Sequence, residues 1–201
     1  GQPKRGRAAA GNAGLAAATG QWCLFLDDDD ILFSDHVELL AAKLMETPKA
    51  VAAYSIAWEA ITDYPLEDGR YTENCHSVSS LHRQAFDYEV LKHHNFMPVQ
   101  SVLFERKLFE ERGGMDERLD ALEDWNLWLR FAYRNHFVFV PKVTSMFRTP
   151  ADAEKSLQRT QMLNSYYELA RRNADQANRE LDATANSYAK VMELSRYCCS
   201  I

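Results

Sequence analysis

The polarity of the chain changes most abruptly between Trp22 and Phe33, where Trp-Cys-Leu-Phe-Leu is followed by Asp27-Asp28-Asp29-Asp30 and then by Ile-Leu-Phe. A short continuous apolar run predicts a strand buried on both faces. The four aspartates fall where that strand ends. Ahead of it, Arg7 to Thr19 is rich in alanine and predicts a helix over Ala8–Thr19, stopped by Gly20. Gly11 and Gly14 weaken that helix by roughly 1 kcal/mol each relative to Ala, but small side chains also let it lie close to a sheet. A helix and a strand joined by one glycine are half of a βαβ unit. Beyond the aspartates, Ser34 is the expected N-cap of a helix, with Asp35 and Glu38 favouring its dipole. Val37, Leu40, Leu44 and Met45 form its apolar face, and Pro48 closes it.

Val51 to Trp58 predicts a strand. Glu59 to Ser80 is polar, and Asp68-Gly69 between Tyr64 and Tyr71 predicts a turn or hairpin. A short helix over Phe86–His94, a strand over Met97–Phe104 and a short helix over Arg106–Glu111 follow, the last broken by Gly113-Gly114. Glu123 to Tyr133 predicts a helix carrying Trp125 and Trp128. Phe137–Val140 and Val143–Phe147 predict short strands around Pro141. Two helices are expected from Ala151 to Tyr197, divided near Asn173 to Asp175. In the first, Leu157, Met162, Leu163, Tyr166, Leu169 and Ala170 form a stripe suited to core or partner contact. Strands alternating with helices predict an α/β fold.

The chain has 201 residues, enough for one domain with a helical appendage, and its 46% hydrophobic and 11% aromatic content supports a sizeable core. A net charge of −6 without any Lys/Arg run argues against nucleic acid as a partner. Cys23, Cys75, Cys198 and Cys199 have no metal-site spacing and point to a reducing, cytoplasmic compartment. No stretch approaches the ~20 apolar residues of a membrane span, and no signal peptide is visible. The opening Gly1-Gln2-Pro3-Lys4-Arg5-Gly6-Arg7 has the character of an interior loop, so we expect a fragment of a larger protein.

Four adjacent carboxylates repel one another, and water, cations or a metal must offset that cost. Mg²⁺ and Mn²⁺ prefer carboxylate oxygens and keep part of their shell for substrate phosphates. Ligands in open α/β sheets bind just beyond the carboxyl ends of the strands. A solvated acidic loop is the other reading of the same residues.

Two segments, taken together and in order, resemble the family 2 glycosyltransferases. The first runs Gly6-Arg7-Ala8-Ala9-Ala10-Gly11-Asn12-Ala13-Gly14, then Phe25-Leu26-Asp27-Asp28-Asp29-Asp30. The second runs Gly113-Gly114-Met115-Asp116-Glu117, then Glu123-Asp124-Trp125-Asn126-Leu127-Trp128, with Pro141 and Phe147-Arg148 behind it; about 95 residues separate the acidic sites. The resemblance implies a GT-A-like, Rossmann-like mixed sheet flanked by helices. The domain would be partial over residues 1–150, with a C-terminal helical extension over 151–201. It implies a metal-dependent inverting transferase of hexosyltransferase type, acting on a UDP-sugar, as in polysaccharide biosynthesis. Asp27 and Asp29 match the two aspartates of the DxD motif and would bind Mn²⁺ or Mg²⁺, with Asp28 reaching the ribose or sharing the metal's shell. Asp124 matches the base that takes the acceptor's proton, and Glu123 is its neighbour. Arg7 and Asn12 lie where the family contacts nucleotide. Gly114 matches a glycine whose backbone approaches substrate, Trp125 is placed to stack on acceptor, and Arg148 to touch diphosphate. The family's third metal ligand, a His close behind this point, has no counterpart. His76, His82, His93 and His94 fall in the variable middle, where the family binds acceptor.

The implied partners are a nucleotide-sugar donor and a glycan, lipid or protein acceptor. Peripheral attachment of the full-length protein to the cytoplasmic face of a membrane and a homodimer through an exposed sheet edge or through the C-terminal helices are also consistent with the reading. The first strands of the family's nucleotide-binding half have no counterpart here, so we expect the fragment alone to bind nucleotide-sugar poorly. Two further readings stay open: a non-catalytic scaffold relative, and a phosphohydrolase of the haloacid dehalogenase type. The latter wants Thr or Val two positions after its second aspartate, where Ile31 stands.

Overall fold

A computed structural model describes the backbone of residues 6–63 and 71–198, and side chains as far as residue 188. Helix α1 covers Arg7–Ala17 and buries Ala8, Ala9 and Leu15. A Cβ at Gly11 would come within 3.0 Å of Met115 Sδ and 3.2 Å of Phe25, so that glycine sets a close approach; Gly14 faces open space.

Strand β1 is only Trp22–Cys23, and β2 is Ile31–Leu32. The expected strand buried on both faces is therefore corrected. Among the described residues β1 pairs only with β5 (Val102–Glu105), at one end of the sheet's main path. The chain leaves the sheet after Cys23, and Leu26 is 54% exposed. Helix α2, His36–Glu46, has Asp35 rather than Ser34 at its N-cap, and Asp35 is held from outside by Lys142 at 2.5 Å.

Strand β3 covers Ala50–Asp63 and pairs antiparallel with β4, Thr72–Ser77. The expected Asp68-Gly69 turn lies outside the described residues. Short helices α3 (Tyr88–Leu91, capped by Asp87) and α4 (Lys107–Arg112) flank β5 in sequence. Helix α5 covers Glu123–Phe131 and β6 covers His136–Pro150. The two expected strands around Pro141 are one, because Ser55 pairs with Val140 and Ile56 with Val143. Pro141 and Lys142 are thus left out of the register, a bulge that accommodates a residue with no N–H to donate.

The main path of the sheet is β1-β5-β3-β6-β2, with β4 beside the outer part of β3. β3 and β6 run parallel and the other pairings are antiparallel, so the sheet is mixed. One core packs Leu40 and Leu44 of α2 against Ala53, Leu103 and Val140. A larger one gathers Phe104, Trp128, Phe131 and Phe137 beneath α5. Helices therefore cover both sides of the strands.

Helix α6 runs unbroken over Ala153–Cys198 instead of dividing near Asn173. The Asn173 side chain donates to Asp116 at 2.8 Å and so does not compete with the helix backbone. Ala170, Ala174 and Asn178 are buried, and Asn126 of α5 donates to the Ala170 carbonyl. The expected apolar stripe is corrected at its start, since Leu157 and Met162 stay 57% and 44% exposed. Ala170 and Ala174, about two and three turns beyond Met162, let α6 approach α5 more closely than leucines would.

Candidate functional site

Asp27 to Asp30 connect β1 to β2 in a tight turn, with the Asp30 N–H donating to the Asp27 carbonyl at 3.2 Å. Arg148, from β6, donates to the Asp29 carbonyl and, at 2.8 Å, to the carboxylate of Glu73, with its guanidinium 4.7 Å above the Tyr71 ring. The second acidic pair sits at the head of α5. Leu122 just ahead of it has φ +62°, a left-handed conformation uncommon for a branched side chain, and the chain turns there to present Glu123 and Asp124. Arg7, the first residue of α1, joins the two acidic sites: it pairs with Asp27 and reaches Glu123 at 3.3 Å.

Both sites open on one cleft of about 770 Å³, lined by Asp27, Asp29 and Asp30 as well as by Glu123 and Asp124. The N-terminal turns of α6 form another of its walls, with Gln158, Arg159 and Met162 among the lining residues. In the cleft Asp124 accepts from Asn95 at 2.9 Å and from the Trp125 N–H at 2.7 Å.

Burial and carboxylate crowding govern the electrostatics. Partial burial, with Asp27 and Asp29 alongside, pushes Asp30 up to about 7. Burial raises Glu123 and Asp124 above the ordinary carboxylate range, Asp124 adding to the shift of Glu123. Burial works against the charge of Arg7, but Glu123, Asp27 and Asp124 outweigh it and hold the guanidinium above its usual value. The donor set suits a hard divalent cation: Asp27 and Asp29 offer oxygen ligands in a cleft, and crowding at Asp30 is what such an ion relieves. Among the described residues no three His, Cys, Asp or Glu side chains converge as a cage. An ion held by Asp27 and Asp29 alone would have few protein ligands and would keep its remaining positions for substrate oxygens.

Of the residues singled out from sequence, Arg7, Asp27, Asp29, Glu123, Asp124 and Arg148 line the cleft, while Asn12, Asp28, Gly114 and Trp125 do not. Asp28 points to solvent. Asn12 is a structural tie: it accepts from Met115 N at 2.7 Å and donates to Met115 O and Glu117. Gly114 lies against that tie, with no space for a side chain. Trp125 is 1% exposed, stacked 4.8 Å from Tyr167 and donating to the Leu91 carbonyl, so it is core and cannot stack on an acceptor.

Sequence reasoning missed Asn95, Glu59, His82 and Gln100 in the cleft. His82 was visible only as one of several histidines in a variable stretch. The other three carry no motif, because each reaches the cleft through long-range packing.

The sequence profile described as glycosyltransferase like family 2 matches residues 2–181. An uncharacterized glycosyltransferase of Rickettsia felis is 29% identical over 146 residues, 71% of this chain and 22% of that protein. The uncharacterized glycosyltransferase YwdF of Bacillus subtilis is 29% identical over 128 residues, 63% of this chain and 44% of that one. The chain thus spans less than half the length of either relative. Among solved structures, residues 1–349 of Staphylococcus aureus TarS in complex with UDP-GlcNAc superpose with a TM-score of 0.54 at 14% identity, over 88% of this chain and 52% of that one.

Proposed function

The chain belongs to the glycosyltransferase like family 2, and from that premise we propose that its cleft moves a sugar from a nucleotide diphosphate to an acceptor hydroxyl. Its fold is that of the GT-A glycosyltransferases, a mixed sheet flanked by helices with a C-terminal helix behind it. In our reading the donor is UDP-linked, in keeping with the UDP-GlcNAc held by the staphylococcal neighbour. The acceptor is a glycan, lipid or protein, and the anomeric centre inverts.

The observation that carries this reading is the shared cleft, with one guanidinium, Arg7, bridging Asp27 and Glu123. Asp27 and Asp29 would hold Mn²⁺ or Mg²⁺, which supplies charge neutralisation at the departing diphosphate. Asp124 takes the proton of the acceptor hydroxyl as its oxygen bonds to the anomeric carbon and the bond to diphosphate breaks. Burial raises Asp124, which makes it a stronger base than a solvated aspartate once ionised. Asn95 fixes the direction of its carboxylate. Arg148, anchored to the Asp29 carbonyl, keeps positive charge beside the diphosphate end. Arg7 holds Glu123 and Asp27 against their mutual repulsion.

The test is Asp124→Asn in the full-length protein, with UDP release followed in the presence and absence of Mn²⁺. Loss of a general base lowers turnover by about 10²–10⁴-fold, and calorimetry should give an unchanged affinity for UDP with Mn²⁺. Undiminished release by the variant would remove Asp124 from the role.

A further inference from the structure

The cleft contains polar side chains that neither the metal pair nor the base accounts for. Gln100 lines it, is 1% exposed, and its Nε2 is buried without a hydrogen-bond partner. His82 lines it too, and its Nδ1 is likewise buried and unpartnered. A buried donor left unpaired costs about 1–3 kcal/mol, and native proteins keep few of them. These two come from separate short helical turns, Ser80–His82 and Val99–Ser101, yet they meet the same cavity. Glu59 of β3 is a third lining residue and interacts electrostatically with His82. Phe147 is a fourth, its ring 5.8 Å from the His82 ring and edge-on to it.

We propose that Gln100, His82 and Glu59, beside the ring of Phe147, form a subsite that binds the hydroxyl groups of a neutral sugar ring. The proposal rests on the transferase reading of the cleft and names what that reading leaves open, the class of ring accepted. A carboxamide, an imidazole and a carboxylate give donors and acceptors in the mixture that vicinal hydroxyls need. Burial holds His82 below its ordinary value, so at neutral pH its ring keeps one N–H and one lone pair. The terminal torsions of Gln and His are broad wells, so small rotations bring the buried nitrogens toward a ring in the cleft. The apolar face of a sugar packs on an aromatic ring such as Phe147. Glu59 repels a ring that carries its own carboxylate.

The test uses the full-length protein and saturation-transfer NMR with methyl glucoside, methyl galactoside and methyl N-acetylglucosaminide, and with glucuronic acid as the anionic counterpart. The expected result is ring-proton signals from neutral sugars and none from glucuronic acid. Gln100→Leu and His82→Phe should each weaken the neutral signals, with an affinity loss of about tenfold, one to two hydrogen bonds. Glu59→Gln should admit glucuronic acid. Gln100→Leu also separates function from folding. Because the Nε2 it removes has no partner, the variant should melt at or above the wild-type temperature while losing sugar. A lower melting temperature with unchanged sugar signals would make Gln100 a structural residue and overturn the subsite, as would wild-type signals from glucuronic acid equal to those from neutral rings.

Calorimetry with UDP and UDP-GlcNAc in Mn²⁺ then assigns the ring. If it belongs to the donor, the variants lose affinity for UDP-GlcNAc but not for UDP. If it belongs to the acceptor, both nucleotides bind as before while the free-sugar signals fall. Neutral-sugar binding lost in the variants, by a protein that neither binds UDP nor transfers sugar, would uphold the subsite and sink the transferase. Transfer without any free-sugar or variant effect would do the reverse.

Discussion

Asp30 is pressed by partial burial and by two aspartates of its own turn, which together push its carboxyl up to about 7. The folded state therefore binds this proton more tightly than the unfolded chain. Stability from the group is fully present below the ordinary carboxylate value and is lost as pH rises toward about 7. Asp30→Asn removes the titration, so the variant should gain more melting temperature over wild type at pH 8 in chelator than at pH 5. A constant difference across that range would mean that the crowding is not felt. Asn95 acts on the other carboxylate. Its hydrogen bond favours the ionised form of Asp124, opposing the burial that raises it. Asn95→Ala should move the acid limb of kcat/KM to higher pH and lower the rate below it, and a pH-rate profile reads both. An unshifted limb would assign that limb to another group.

At the scale of elements, the glycine pair does more than stop α4. Gly113 takes φ +74°, and Arg130 of α5 donates to the carbonyls on either side, Arg112 O at 2.8 Å and Gly114 O at 2.5 Å. A Cβ on Gly114 would lie 2.0 Å from Asn12 Oδ1. That oxygen already accepts from Met115 N, and the amide nitrogen beside it is held by Met115 O and Glu117, so Asn12 cannot swing away freely. Gly114→Ala should destabilise by about 1–3 kcal/mol, at roughly 2–4 °C per kcal/mol for a domain of this size. A thermal melt within one degree of wild type, an order-of-magnitude threshold, would show that the tie gives way. The glycine pair was legible as a motif, but its purpose was not. Spacing alone cannot distinguish a glycine that approaches substrate from one that approaches an asparagine about a hundred positions earlier.

At the scale of the whole molecule, α6 packs on α5, burying Ala170 and Ala174 in the same core as Trp125 and Trp128. Tyr167 stacks on Trp125, and Asn126 bonds the Ala170 carbonyl. Ending the chain before Ala153 would expose that face of α5 and open a wall of the cleft. We expect such a truncation to lose near-UV circular dichroism and gain dye binding, as a core with fluctuating packing does. A truncated chain with a cooperative melt equal to that of the parent would make α6 an appendage after all. Strand β1 shows the opposite case, where an apolar run predicted to be buried on both faces lies at one end of the sheet's main path, with Cys23 buried but Trp22, Leu24 and Phe25 only half-buried.

Local chemistry determined much of this protein from the sequence alone. Alanine and glycine placement marked α1 and the end of α4. Apolar periodicity marked α2, β3 and α5, and the order of the two acidic clusters marked the family. The element signals are legible because each depends on neighbours within a few positions of the chain, and the family signal because it lies in the linear order of motifs, which needs no contact between them. Only the tertiary structure decided that Arg7 bridges both clusters, that Asn12 and Trp125 serve the scaffold, and that Asn95, His82 and Gln100 face the cleft. Those outcomes depend on contacts between residues far apart in sequence, where geometry rather than residue type chooses the partner.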